Sequence, residues 1–276
     1  MRKANYDKFP STKISGTIVQ GWEAIVSLLK EKLGGRRVLA VDLYTGVHEE
    51  EVLEAFSKGV TGKIINVRDV MKSEAEVAVM TDRFMTDDVL YGYVTNLSME
   101  DYFDADKLMA VKKEISEAAE TVVIIGTGAA LVAPEDAMVV YIDMARWEIQ
   151  LRFRRREVKA LGIGNRNDAV SVQYKRGYFN DWRICDKHKD GLFHKVEFWI
   201  DTHIAGEPKM IDKETFFKGI EETIKTPFRV VPFFDPAPWG GQWMKEVCDL
   251  DRAYDNYGWC FDCVPEENSL YFAKNP

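Results

Sequence analysis

Cysteine and histidine are scarce in this chain, with four of each in 276 residues. Cys185, Cys248, Cys260 and Cys263 are too few to staple a chain of this length, which points to a reducing, cytoplasmic setting. No HExxH occurs, and Cys260-x-x-Cys263 is a single pair where a structural zinc needs four ligands. Those cysteines read as buried free thiols in strands, and no metal site is expected in this chain. His188 and His194, near Asp186 and Asp190, read as solvated loop histidines. No apolar run approaches the ~20 residues that span a bilayer, so no membrane partner is expected. The opening MRKANYDKFPSTKISG lacks the apolar core of a secretory signal. A net charge of −8 argues against nucleic acid, which demands a basic face. There is no internal repeat and no low-complexity tract.

What the chain does have is an alternation of apolar runs with amphipathic stretches. Val38–Val41, Ile64–Val67, Val122–Ile125 and Val139–Ile142 are short and β-branched, the pattern of strands buried on both faces. Between them, residues 20–33, 49–56 and 104–119 have helical spacing, with Gly34-Gly35 ending the first and Ser73 capping a further helix. Residues 1–165 therefore read as a parallel-sheet, layered α/β domain. The loop GIGNRND begins at Gly162, and residues 166–276 read as a smaller β-rich segment. In it, Ser171–Tyr178, Phe193–Asp201 and Arg229–Phe234 have antiparallel strand character, and Lys213–Ile224 is one more helix.

Three features carry candidate chemistry. The first is the turn after the first buried strand, Asp42-Leu43-Tyr44-Thr45-Gly46-Val47-His48. A nucleotide kinase carries GxxxxGK[ST] at such a turn, and this chain has that motif nowhere. Asp42, Thr45 and Asp69, which follows the Ile64–Val67 run, are the candidates there. The second is the cation run on and after the helix at residue 146. Arg146, Arg152, Arg155 and Arg156 suit either a solvated helix end compensating the dipole or an anion site, because guanidinium forks match phosphate oxygens. The third is YKRGYFNDWR. Read as a strand, it presents Lys175 and Asp181 on one face and Arg176, Tyr178 and Trp182 on the other, with Arg183 following. This reads as packed ion pairs or as a phosphate or polyol site with aromatic platforms.

Two resemblances bear on these residues. VVIIGTGAALV followed by VVYIDMARWEIQLRFRRR resembles a P-loop nucleoside kinase with an arginine-rich lid helix, in a degenerate form without its phosphate loop. ARWEIQLRFRR, YKRGYFNDWR and PFFDPAPWGGQWMKEVCDLD resemble the N-terminal part of an extended bacterial class I mannose-6-phosphate isomerase-like family. Trp239-Gly240-Gly241, Trp259 and Ser269 match the strands that open that family's cupin-type domain. The resemblance implies a non-catalytic module that binds a sugar phosphate or nucleotide, or serves assembly. It implies zinc only in longer members, beyond Pro276, and an open strand edge paired by a second copy or a partner chain. A diverged kinase with an atypical phosphate loop and a purely structural assembly module are the alternatives.

Overall fold

The computed structural model describes residues 11–88, 90–225, 231–233, 246–249, 260–262 and 272–273. The first part of the chain runs β1 (Val19–Gln20), α1 (Trp22–Leu33), β2 (Val38–Leu43), α2 (Glu49–Gly59) and β3 (Lys63–Asn66). It continues through α3 (Glu74–Met85), α4 (Ala105–Glu117), β4 (Val122–Gly126), α5 (Ala129–Val132) and β5 (Met138–Asp143). Then come α6 (Arg146–Arg154), α7 (Val170–Arg176), α8 (Trp182–Leu192), β6 (Phe198–Asp201), β7 (Lys209–Asp212) and α9 (Lys213–Thr223). A separate antiparallel pair joins β8 (Val231–Phe233) to β9 (Cys260–Asp262).

Every residue of β2, β4 and β5 is buried, as expected for strands covered on both faces. They form the middle of one sheet ordered β1-β7-β6-β5-β2-β4-β3. The β3–β4, β4–β2, β2–β5 and β5–β6 pairings are parallel, and β7 and β1 close one edge antiparallel. The four apolar runs thus share one sheet. That sheet does not stop at residue 165, because β6 and β7 extend it past the expected division.

Local chemistry sets the helix ends. Ser73 caps α3 in a reciprocal box with Glu76, and Asp104 accepts the amides of Asp106 and Lys107 at the start of α4. Ile25, Val26, Leu29 and Leu33 form the buried stripe of α1.

One expected strand is helical. Ser171–Tyr178 lies in α7 and a π-turn, Gly177–Asp181, that runs directly into α8. Buried Gln173, Arg176, Asn180 and Ile184 recur at helical spacing, but three of the four are polar. A polar buried stripe does not register as a hydrophobic period, so the aromatics between them read as strand. The face alternation expected for Lys175 to Trp182 falls with it. Trp239-Gly240-Gly241, Trp259, Cys263 and Ser269 lie outside the described residues, as does Val89. Among the described residues no helix is long and apolar enough to cross a membrane.

Candidate functional site

Strand β2 leads through α2 to β3 on one side of the sheet, while its neighbour β5 leads through α6–α8 to β6 on the other. Such a reversal opens a crevice at the carboxyl ends of the strands, where open α/β sheets bind ligands. The turn Tyr44–His48 sits at that point, and the protein holds it from behind. Gly46 has φ +89°, and a Cβ there would meet Ile149 Cγ1 at 2.7 Å. The Arg152 guanidinium, 1% exposed, donates to Gly46 O at 2.8 Å. The Tyr44 amide donates to Ile142 O at 2.9 Å.

Asp42, fully buried at the end of β2, accepts the amides of Gly128 at 3.0 Å and Ala130 at 2.9 Å. The Gly126-Thr127-Gly128 turn thus spends these donors on the chain's own carboxylate. The imidazole of His188 closes the arrangement, with Nε2 2.9 Å from Asp42 Oδ2. Burial lowers the His188 pKa, but Asp42 outweighs it and holds the ring above its ordinary value. Helix α8 latches further onto the strand ends. Tyr44 Oη donates to Asp186 at 2.7 Å, Arg146 pairs with the same carboxylate, and Lys189 lies 3.3 Å from Asp143. Burial pushes Asp143 up, with Lys189 opposing it, and pushes the Cys185 thiol up as well.

On its outer side the turn walls a narrow cleft. Thr45, Gly46 and Thr127 line it, together with Glu49, Glu50, Arg68, Lys159 and Arg166. Arg68 Nε lies 2.5 Å from Glu49, in a partly sheltered pair. Arg166 meets Glu50 at 3.1 Å, with the two side chains 43% and 70% exposed. An ion pair that open is worth about 0–1 kcal/mol, so an incoming anion can take Arg166 from it. Lys159 is half-buried and makes no hydrogen bond or ion pair among the described residues.

The cations expected to form an anion site are not brought together. Arg146 and Arg152 sit beneath the turn, each committed to protein oxygens. Arg155 pairs with Glu148 and Glu157, and Arg156 is exposed with φ 57°. Lys175 reaches the carbonyl of Asp88 in the segment after α3. Arg176 donates to Thr81 at 3.0 Å and lies 3.4 Å from Asp181. Arg183 donates to Tyr178 O and lies over that ring. Asp181 accepts the Leu161 amide, its pKa raised by burial against the opposing charge of Arg176. Trp182 is buried beneath Arg146. Of the expected residues only Thr45 lines the cleft; Asp42 lies behind it, and Asp69 is exposed beside Arg68.

His188 is a correction, because it is buried against Asp42 rather than solvated. His203 is buried too. Its Nδ1 donates to Asp201, and its Nε2 accepts the Ala145 amide at 2.8 Å. The usable signal was Asp42, Asp143 and Asp201, each ending a buried strand, where a desolvated carboxylate needs a cation or several N–H donors. Among the described residues no group of three or more His, Cys, Asp or Glu is placed to hold a metal ion. A family model described as a domain of unknown function (DUF8485) matches residues 21–225. No curated protein matches the chain.

Proposed function

The chain belongs to the DUF8485 family, and from that premise we propose, on the geometry of the site, a non-catalytic module that binds a small phosphorylated sugar. We read the sheet as a degenerate P-loop kinase-like layer and the segment after α9 as the start of a cupin-type domain. The whole then serves as the N-terminal part of a cytoplasmic mannose-6-phosphate isomerase-like protein. The observation that carries this reading is the cleft at the switch point, where Lys159 and Arg166 flank Thr45 and Thr127. Among the described residues Lys159 makes no direct ion pair, its charge acting on Glu50 only through space, and Arg166 holds only an exposed pair with that same carboxylate. A phosphate between them gains charge-assisted hydrogen bonds, while the threonine hydroxyls suit its oxygens or those of a sugar. The Asp42–His188 and Asp201–His203 pairs are buried, and the partly exposed His48–Glu157 pair, 3.5 Å apart, adjoins the cleft's lining residues Val47, Glu49 and Val158 without being part of that lining.

Calorimetry with mannose 6-phosphate, inorganic phosphate and magnesium-ATP tests this. Mannose 6-phosphate is expected to bind, and the Lys159→Ala, Arg166→Ala double variant to bind about tenfold or more weakly, the equivalent of one lost charge-assisted hydrogen bond. Equal affinity in the double variant overturns the site. Absence of binding by every phosphorylated ligand at millimolar concentration leaves assembly as the role.

A further inference from the structure

The carboxyl end of β6 carries a second arrangement, separate from the cleft. Asp201 accepts the amide of His203 at 2.8 Å and the Nδ1 proton of the same residue, while its other oxygen accepts the amide of Phe272 at 2.8 Å. Burial works to raise the Asp201 pKa, but the bonds from His203 and Phe272 outweigh it and hold the carboxyl below its ordinary range. Because His203 Nε2 accepts the Ala145 amide, the ring proton sits on Nδ1 and points at Asp201. Phe272 lies 71 residues further along the chain and packs on the hydrophobic core. Phe272 thereby touches the end of β6.

One side chain joins this loop to the cleft. Arg152 donates from Nη1 to Gly46 O at 2.8 Å, and from Nη2 to Thr202 O at 2.7 Å and His203 O at 3.3 Å. Its Nε meets Glu148 at 3.2 Å. The Gly46 turn lines the cleft, and the Thr202–His203 carbonyls flank the residue that holds Asp201. A guanidinium is a rigid planar fork. With both ends engaged and no solvent around it, displacement of Gly46 O moves the group that positions residues 202 and 203.

We propose that Arg152 is a positioning residue that couples occupancy of the cleft to the contact of Phe272 with Asp201. The coupling rests on the phosphorylated-sugar reading only for the identity of the ligand. It is reciprocal, so a docked Phe272 favours the ligand-ready turn as much as ligand favours docking.

The test is amide hydrogen exchange on the full chain, in two arms. Without ligand, Phe272→Pro removes the donor to Asp201 and is expected to speed exchange of the Val47 amide about fivefold, the low end of usual inter-site couplings. The same change in an Arg152→Lys background leaves Val47 unaltered. Should Arg152→Lys not fold, Asp201→Asn decides, because it keeps the arginine and weakens docking; it is expected to speed Val47 as Phe272→Pro does. With ligand, saturating mannose 6-phosphate slows exchange at Phe272 in the parent chain. Unchanged Val47 exchange in Phe272→Pro or in Asp201→Asn overturns the coupling. Coupling present in the first arm, with no response to mannose 6-phosphate in the second, overturns the ligand and leaves the relay standing.

Discussion

The Asp42 carboxylate accepts the Gly128 amide at 3.0 Å across two adjacent parallel strands, with the Ala130 amide on its other oxygen. A side chain thereby fills the position that backbone donors at a strand end offer to an external anion. Removing it leaves two amides and the buried His188 without their acceptor. Asp42→Ala is expected to cost about 3–5 kcal/mol, as for breaking one side of a buried ion pair. Asp42→Asn keeps one acceptor and loses the charge, at about 1.5–3 kcal/mol. Urea denaturation measures both. An Asn variant as destabilised as the Ala variant refutes the acceptor role.

His188 makes that latch pH-dependent, and the sign follows from its raised folded pKa. Folding favours the protonated ring, so the stabilisation is fully present below the ordinary value of 6.5 and is lost as pH rises through the higher folded value. Asp201 acts in the opposite sense: its depressed pKa gives stability above the ordinary value of 3.8, lost as pH falls through the folded one. Both contributions are present together between 3.8 and 6.5, and they are lost in opposite directions of pH. The stability difference between parent and His188→Gln is expected to be larger near pH 6 than near pH 9. A difference that stays flat or grows with pH contradicts the pair.

Two glycines respond oppositely to the same substitution. At Gly46, φ +89° and Ile149 at 2.7 Å oppose a methyl group. Gly46→Ala is expected to cost about 2–4 kcal/mol from left-handed strain and overpacking together. Gly191 lies in α8 with nothing within 4 Å of a built Cβ. Gly191→Ala is expected to stabilise by about 0.4–1 kcal/mol through helix propensity and unfolded-state entropy. Thermal melts of both variants check the pair, and a neutral Gly46→Ala means the turn is not clamped.

The central sheet was legible because its strands are buried on both faces, so Val38–Val41 and Val122–Ile125 are unbroken apolar runs. The helical course of residues 170–192 was not, since its inward face carries Gln173, Arg176 and Asn180 in place of aliphatics. The turn at Thr45 was legible from its place after a buried strand. Two of the cleft's three cations, Lys159 and Arg166, flank a loop with no periodicity, and only the tertiary fold brings them back to Thr45-Gly46. The partners of the clustered arginines were not legible for a related reason. Carbonyls and carboxylates that meet them come from distant segments, such as Thr202 O at Arg152 and Asp186 at Arg146.

Magnesium-ATP should not bind at the β2 turn in the manner of a phosphate loop. That mode needs a run of free amides curving around the phosphates, with a lysine behind them. Here the Tyr44 amide is spent on Ile142 O, the Val47 amide on Tyr44 O at 3.4 Å, and the Gly128 and Ala130 amides on Asp42. Tyr44 and Val47 are buried, Ile149 and Arg152 back the turn at Gly46, and the residue after Val47 is a histidine. Opening this turn for a triphosphate would break the Arg152–Gly46 bond and desolvate phosphate charge against Glu49 and Glu50, which line the same cleft. A monophosphate on the Lys159–Arg166 side leaves the Arg152–Gly46 bond intact and has only to displace Glu50 from its exposed pair with Arg166. The expected titration is therefore weak magnesium-ATP binding, with a Kd above about 1 mM, beside measurable binding of mannose 6-phosphate. Micromolar, magnesium-dependent ATP binding that is lost in Thr45→Ala would show that the turn rearranges into a phosphate loop and would return the chain to the kinases.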